Sequence, residues 1–167
     1  MQSKKILNVV YGIYNNHDVA IGKKLIISKE SENIEFTTDV TLLIRVIGNL
    51  VKNALGASDK NQAVTVGCHK EKDEIIYWIH NSTFMPEKVK LQIFKRSFST
   101  KGKGRGLGTY SIKLLTEQYL QGKVYFGTSE EEGTTFYIKY PINIDIDKKI
   151  EKNRIKNQYV IDSRLSG

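Results

Sequence analysis

"TTDVTLLIRVIGNLVKNALGAS", residues 37–58, has the apolar spacing of one long helix. Thr38 or Asp39 can cap its N-terminus. Two amides, Asn49 and Asn53, lie one turn apart and therefore share a face of the predicted helix. The apolar stripe that predicts burial of the opposite side consists of Leu43, Val46, Ile47, Leu50, Ala54 and Leu55.

Asn49 and Asn53 have two interpretations. Asparagine is a poor residue for a helix interior, because its side chain competes for backbone hydrogen bonds. In the first interpretation, both are interior amides satisfied by the backbone. In the second, they supply oxygen ligands for Mg²⁺, which accepts amide carbonyls together with water and substrate phosphates.

The elements around this helix come in pairs of strands. The sequence predicts a strand pair at 22–28 and 32–36, a hairpin at 63–69 and 74–81, a short helix from Pro86, a helix at 109–120 that ends at Gly122, and a closing hairpin at 123–129 and 133–140. Single helices do not alternate with single strands, which argues against a parallel doubly wound sheet. We therefore predict an α+β fold, a two-layer α/β sandwich whose mixed, mainly antiparallel sheet carries helices on one face.

A basic glycine stretch, "FSTKGKGRGLGTYS" at 98–111, precedes the second long helix. Alternating glycines allow successive backbone N–H groups to converge on an anion, and the helix N-terminus that follows favours phosphate. Lys101 and Arg105 add positive charge. The alternative is a flexible basic loop. Neither the P-loop pattern nor the Rossmann glycine pattern is present.

Composition limits the class of protein. The 167 residues suit one domain, and 26 Lys and Arg against 18 Asp and Glu give a net charge of +8. That charge favours an anionic partner, either nucleotide phosphate or nucleic acid. The single cysteine, Cys68, excludes an internal disulfide and a cysteine metal cluster. We expect no membrane insertion by this segment and a cytoplasmic location, since no signal-peptide core is seen.

Four motifs in order resemble the ATP-binding catalytic domain of bacterial sensor histidine kinases, in the wider group of gyrase, Hsp90 and MutL. They are "NLVKNA" (49–54), which looks like the N box, "FKRSFSTKG" (94–102), which looks like the F box and lid, "GRGLGTYSIKLL" (104–115), which looks like the G2 box, and "EGTTFYIKYP" (132–141), which looks like the last glycine box. The resemblance implies a Bergerat-type ATP-binding fold over 22–141. Residues 1–21 are then the end of a preceding helix or a linker, and 142–167 a peripheral polar tail.

The resemblance implies a protein-histidine kinase that uses ATP and Mg²⁺. The domain would transfer the γ-phosphoryl group to a histidine on a partner dimerisation domain and, through it, to a response regulator. Asn53 would hold the metal, and Asn49 and Lys101 would serve catalysis. The implied nucleotide contacts are Asn49, Asn53, Asn81, Thr100, Lys101, Gly102, Gly104, Arg105, Gly106, Leu107, Gly108 and Thr135, the last near the adenine.

The sequence departs from the family pattern at the adenine box. The family usually has Asp-x-Gly-x-Gly, whereas residues 80–86 read "HNSTFMP". Either His80 or Asn81 takes the place of the Asp. We favour Asn81, because its amide oxygen can accept the same hydrogen bond from the adenine amino group, at a loss of about 1 kcal/mol for the missing charge.

Two further features bear on the reaction. Hydrolysing members of the group have a Glu at the position of Asn49, and an amide cannot take a proton from water. Asn49 therefore favours phosphoryl transfer over hydrolysis. His17 precedes Asp18, as a phosphoacceptor histidine would, but there is no room around it for a two-helix hairpin, so we expect the acceptor outside this chain. A nucleotide-gated interaction module without transfer is the alternative, and nucleic acid is not an expected partner.

Overall fold

The computed structural model describes residues 1–95 and 107–143. In chain order the elements are α1 (Ser3–Tyr14), a 3₁₀ turn (Asp18–Ala20), β1 (Lys24–Ile27), α2 (Val40–Ala57), β2 (Ala63–Glu71), β3 (Glu74–Asn81), α3 (Glu87–Lys90), α4 (Leu107–Leu114) continued by a π-helical turn (Leu115–Tyr119), β4 (Lys123–Ser129) and β5 (Gly133–Pro141).

The strands form a five-stranded sheet in the order β1-β2-β3-β5-β4. β1 runs parallel to β2, and the other neighbouring pairs are antiparallel. The alternation of burial along β3 shows which side carries the helices. Tyr77 and Ile79 are fully buried beneath the helices, whereas Trp78 and His80 point to the other face and are partly exposed. The mixed, mainly antiparallel two-layer architecture predicted from the sequence is confirmed.

The strand predicted at 32–36 is wrong. Instead of pairing with β1, this segment crosses the start of α1, where the Ser3 N–H donates to the Ile34 carbonyl at 2.9 Å. Ile34 and Phe36 are buried, which gives the alternating pattern that resembled a strand. Apart from an isolated bridge between Gln2 and Glu35, the segment makes no ladder among the described residues. The neighbour of β1 is β2.

Helix α2 is the centre of the helical layer. It begins after Asp39, whose Oδ1 accepts a hydrogen bond from the Leu42 N–H at 3.1 Å. It ends at Ala57, and the hydroxyl of Ser58, the next residue, donates to the Ala54 carbonyl at 2.8 Å. The predicted stripe is buried in full: Leu43, Val46, Ile47, Leu50, Ala54 and Leu55. By length and hydropathy α2 could cross a membrane, but its apolar face is packed in the core of this domain.

Helix α1 packs on the same side of the sheet. Ile6, Leu7 and Val10 are buried in the common core. At its C-terminal end, Tyr14 lies against Gly48 of α2, where a Cβ would approach the Tyr14 Cε2 atom to 2.9 Å. Burial there raises the pKa of Tyr14. The division of the chain at residue 22 stays a prediction, although α1 shares the core of the rest.

The helix after the glycine stretch ends near the predicted position. Gln121 takes the left-handed conformation (φ 56°) that ends it. Gly122 is needed for a different reason, because a Cβ on it would overlap the Lys139 carbonyl oxygen of β5. Of the predicted tail, only residues 142 and 143 are described.

Candidate nucleotide-binding site

The predicted site lies where α2 and β3 end. Thr83, in the loop after β3, donates its hydroxyl to the carbonyl of Ala57, the last residue of α2, at 2.8 Å. Asn53 stands one helical turn before Ala57, and Asn81 is the last residue of β3. The fold therefore brings the amides of the predicted N box and of the adenine box to one end of the domain.

The amides at this end have no hydrogen-bond partner in the part of the chain that the structure describes. Within 1–95 and 107–143, the side chains of Asn49, Asn53 and Asn81 make no hydrogen bond to protein groups. None of their polar atoms is among the enclosed atoms that lack a hydrogen-bond partner. Asn81 is 3% exposed, and a buried amide is normally satisfied by protein or ordered water. The interpretation of Asn49 and Asn53 as amides satisfied by the backbone is thus not supported, and all of these side chains can accept or donate to a bound molecule.

Residues His80 and Asn81 face opposite sides of the sheet. His80 lies on the face away from the helices, where its Nδ1 is 2.9 Å from the Thr135 hydroxyl. Asn81 is buried on the helix side and pairs in register with Thr134. The geometry therefore favours Asn81 over His80 for a contact with a nucleotide held beside α2.

The same register separates Thr135 from the site. Thr134, its neighbour, is 3% exposed on the helix side of β5. The sequence analysis named Thr135, whereas the residue on the helix side of β5 is Thr134. The signal was available, because counting back by two along the strand from the apolar Phe136 gives the inward-facing position.

Gly133 lets the adenine-box loop approach the hairpin. Its φ is +80°, and a Cβ there would overlap the Asn81 carbonyl and the backbone of Ser82. Any larger residue would therefore push the loop away from β5 and carry Asn81 with it. Gly133 therefore allows the close contact between this loop and β5.

Most of the predicted phosphate-binding stretch, Thr100, Lys101, Gly102, Gly104, Arg105 and Gly106, lies outside the described residues. Of its last two members, Leu107 begins α4 and Gly108 stands in the first turn, where an added Cβ would meet no atom within 4 Å.

The two flanks of the stretch pack close together. On the side before it, the Phe94 ring contacts Phe126 and Phe136 of the β4–β5 hairpin, with centroids 6.0 and 6.3 Å apart. On the side after it, the Lys113 ammonium of α4 lies 5.8 Å from the centroid of the same Phe94 ring. α4 also packs against α2. Phe94 and α4, on either side of the stretch, are therefore in contact, and α4 packs beside the helix that carries Asn49 and Asn53.

A family model described as "Histidine kinase-, DNA gyrase B-, and HSP90-like ATPase" matches residues 38–144. The chain belongs to this family. The recognised resemblance is confirmed, and with it the placing of this domain among nucleotide-binding ATPase domains.

Relatives within the ATPase family carry the names of sensor proteins. A probable C4-dicarboxylate sensor kinase of Halalkalibacterium halodurans is 35% identical over 129 residues, which are 72% of this chain and 24% of that protein. The heme sensor protein HssS of Staphylococcus aureus is 31% identical over 125 residues, 72% of this chain and 27% of that protein. The chain thus spans about a quarter of the length of these curated relatives.

Solved structures show the same fold. The catalytic domain of histidine kinase ThkA superposes with a TM-score of 0.76 at 24% identity, covering 86% of this chain and 94% of that domain. The mycobacterial sensor histidine kinase MprB gives a TM-score of 0.72 at 16% identity, covering 87% and 97%. At these identities the structural similarity establishes only the fold, and the activity has to be argued from the residues of the site.

Proposed function

We propose that this chain is the ATP-binding catalytic domain of a two-component sensor histidine kinase. It would transfer the γ-phosphoryl group of ATP to a histidine on a dimerisation domain, from which a response regulator receives it. The observation that carries the proposal is a set of amides at one end of an ATPase-family fold, Asn49, Asn53 and Asn81, whose side chains make no hydrogen bond to the described residues. The naming of its relatives as sensor kinases supports it.

Asn49 supports transfer rather than hydrolysis. An efficient ATPase needs a base to take the proton of the attacking water, and a neutral amide cannot do this. Phosphoryl transfer to an imidazole relies on positioning and on stabilisation of charge. The bond from the γ-phosphorus to the β–γ bridging oxygen breaks, a bond to the imidazole nitrogen forms, and ADP leaves. Lys101 is proposed to approach the γ-phosphate during this step.

Asn53 could hold a magnesium ion through its amide oxygen, and the ion would supply positive charge to the substrate phosphates. Mg²⁺ commonly uses one or two protein oxygens and takes the rest of its ligands from water and phosphate. No cluster of three or more acidic, histidine or cysteine side chains occurs in the described part of the chain, so an ion held by protein alone finds no site there. The Asn53 amide oxygen would be the protein ligand, and the ion would neutralise phosphate charge.

The adenine base would bind at the end of β3 that carries Asn81. The Asn81 amide oxygen is proposed to accept from the adenine amino group, and Thr134 is its neighbour in register on β5. We propose Thr134 in place of Thr135 for this contact. The glycine and basic residues of 100–108 are proposed to contact the phosphates, and the domain is proposed to work in the cytoplasm, where ATP is available.

The acceptor histidine is proposed to lie on the partner domain rather than at His17. The Nδ1 of His17 accepts the Val19 N–H at 3.1 Å and caps the 3₁₀ turn, which is a structural role. Only the Nε2 atom of that ring is left for chemistry.

The test is phosphate incorporation into a supplied dimerisation domain of a sensor kinase from γ-labelled ATP. Incorporation that depends on this chain is expected. ATP binding without incorporation under any pairing would contradict transfer and favour the nucleotide-gated module. For the metal, Asn53→Ala should abolish Mg²⁺-dependent ATP binding in calorimetry while the circular dichroism spectrum stays unchanged. Asn8→Ala changes an exposed helical amide on α1, away from the site; it is the control and should bind as the unaltered chain does.

A further inference from the structure

A chain of hydroxyl hydrogen bonds fastens the adenine-box loop to the β4–β5 hairpin. The Met85 N–H donates to the Thr128 hydroxyl oxygen at 2.9 Å. That oxygen lies 2.8 Å from the Thr134 hydroxyl oxygen. The Thr134 hydroxyl in turn donates to the Thr83 carbonyl at 2.7 Å. Thr128 is therefore the link between one side of the loop and the residue that pairs with Asn81.

The two terminal groups of this series of hydrogen bonds, the Met85 N–H and the Thr83 carbonyl, determine which atom donates in each bond. A backbone N–H can only donate, so Met85 makes the Thr128 oxygen an acceptor. A carbonyl can only accept, so the one hydroxyl proton of Thr134 is committed to Thr83. Between the two threonines, Thr128 must then donate. The Thr134 oxygen has two lone pairs, one of which Thr128 occupies, and it can offer a ligand only the other, as an acceptor.

Side-chain hydrogen bonds hold this loop at both of its sides. Residues 80–86 contain no glycine, and the Thr83 hydroxyl is already bonded to Ala57 at the end of α2. With Met85 bound to Thr128, the loop is fixed to α2 on one side and to the hairpin on the other. The direction in which Asn81 enters the site depends on both attachments.

The Asn81 amide alone cannot select a base. An amide can present either its oxygen or its N–H₂ to a ligand by turning over, and Asn81 has no hydrogen bond to the described protein residues that would prevent this. It could meet a 6-amino purine with the oxygen or a 6-oxo purine with the nitrogen. Selection of the amino group needs a neighbouring polar atom whose polarity is fixed.

We infer that Thr128 is a positioning residue that gives the site its preference for a 6-amino over a 6-oxo purine nucleotide. It acts by holding the Thr134 hydroxyl as a pure acceptor and by fixing the loop that carries Asn81. This inference rests on the proposed function, since it concerns the base end of the same ATP site.

The experiment measures dissociation constants of the whole chain for Mg-ATP and Mg-GTP by calorimetry. The unaltered chain should prefer ATP. Thr128→Val removes the hydroxyl and leaves the Met85 N–H unpaired, and it should weaken ATP binding about tenfold and reduce the ATP-to-GTP preference. Thr128→Ser keeps the hydroxyl and should restore both. Thr65→Val, which removes a hydroxyl from the opposite face of the sheet, is the control and should change neither.

The outcomes separate the two proposals. If the unaltered chain binds no ATP, the proposed function fails and this inference with it. If it binds ATP and Thr128→Val keeps the full preference, or Thr128→Ser loses it, Thr128 is not a positioning residue and only this inference falls. Thr128→Ala, at a half-buried strand position, replaces the valine variant if circular dichroism shows that the latter does not fold.

Discussion

Gly108 offers a test that separates ligand binding from folding. It stands in the first turn of α4, with a φ outside the left-handed region and no atom within 4 Å of an added Cβ. Nothing in the described protein requires a glycine at this position. If the residue is there so that its backbone N–H can approach a phosphate, Gly108→Ala should impair nucleotide binding and spare the fold.

Gly108→Ala is expected to stabilise the fold and to weaken ATP binding. Alanine in place of glycine in a helix should stabilise the domain by about 0.5–1 kcal/mol, because the unfolded chain loses less entropy on folding. For a chain of this size that raises the melting temperature by about 1–4 °C. Loss of a charge-assisted N–H···phosphate bond costs about 1.5–3 kcal/mol. The dissociation constant for ATP should therefore rise at least about tenfold.

Thermal denaturation with and without Mg-ATP measures both effects in one assay. At a ligand concentration about 100 times the dissociation constant, ATP stabilises the unaltered domain by about 2.7 kcal/mol. A tenfold weaker variant gains only about 1.4 kcal/mol at the same concentration. Gly127→Ala, the control, changes another glycine with open space around it, in β4. An unchanged ATP-induced shift in Gly108→Ala would refute the reasoning, and so would a variant that melts well below the unaltered chain.

Three other outcomes follow from packing and burial. Gly133→Ala should destabilise the domain by more than about 2 kcal/mol in urea unfolding, since its φ is +80° and the Cβ overlaps Asn81; an unchanged midpoint would contradict this. Thr116→Val should raise the melting temperature, because the enclosed Thr116 hydroxyl has no partner among the described residues and its burial costs about 1 kcal/mol or more; a lower melting temperature would show that the hydroxyl is bonded. Burial raises the pKa of Tyr77 and of Tyr140. Their contribution to the free energy of unfolding is therefore complete below the ordinary tyrosine pKa of about 10 and is lost as pH rises above that value. Urea unfolding from pH 8 to 11 should show that loss, and it should be smaller in Tyr140→Phe.

The elements that are local in sequence could be predicted, and those that depend on a distant partner could not. The apolar stripe and the Asp39 cap, both within the local sequence, are sufficient to predict the α2 helix. The segment at 32–36 has the same alternation as a strand, because Ile34 and Phe36 are buried, but its partner is the start of α1. No local pattern distinguishes a segment that lies across a helix from one that joins a sheet.

In the candidate site, too, some features follow from the local sequence and others depend on a distant partner. Asn49 and Asn53 could be predicted, since helical spacing alone puts both on one face. The choice between His80 and Asn81, and between Thr134 and Thr135, depended on which side of the sheet faces α2. A shift of one residue along a strand moves a side chain to the other face of the sheet. Which residues face α2 is known only from the register of β3 with β5.

Neutral and charged groups have different tasks in the proposed site. Among the described residues, the groups proposed for this site near the ends of α2 and β3 are amides and a hydroxyl, Asn53, Asn81 and Thr134, whose interactions are short-range and directional. The positive charge is concentrated in the sequence of the glycine stretch, with Lys101, Lys103 and Arg105. Attraction of phosphate by those cations falls with ionic strength, whereas hydrogen bonds to the base do not. Salt should thus weaken binding of ATP and GTP equally and leave the preference between them unchanged, because the preference resides in groups that carry no charge.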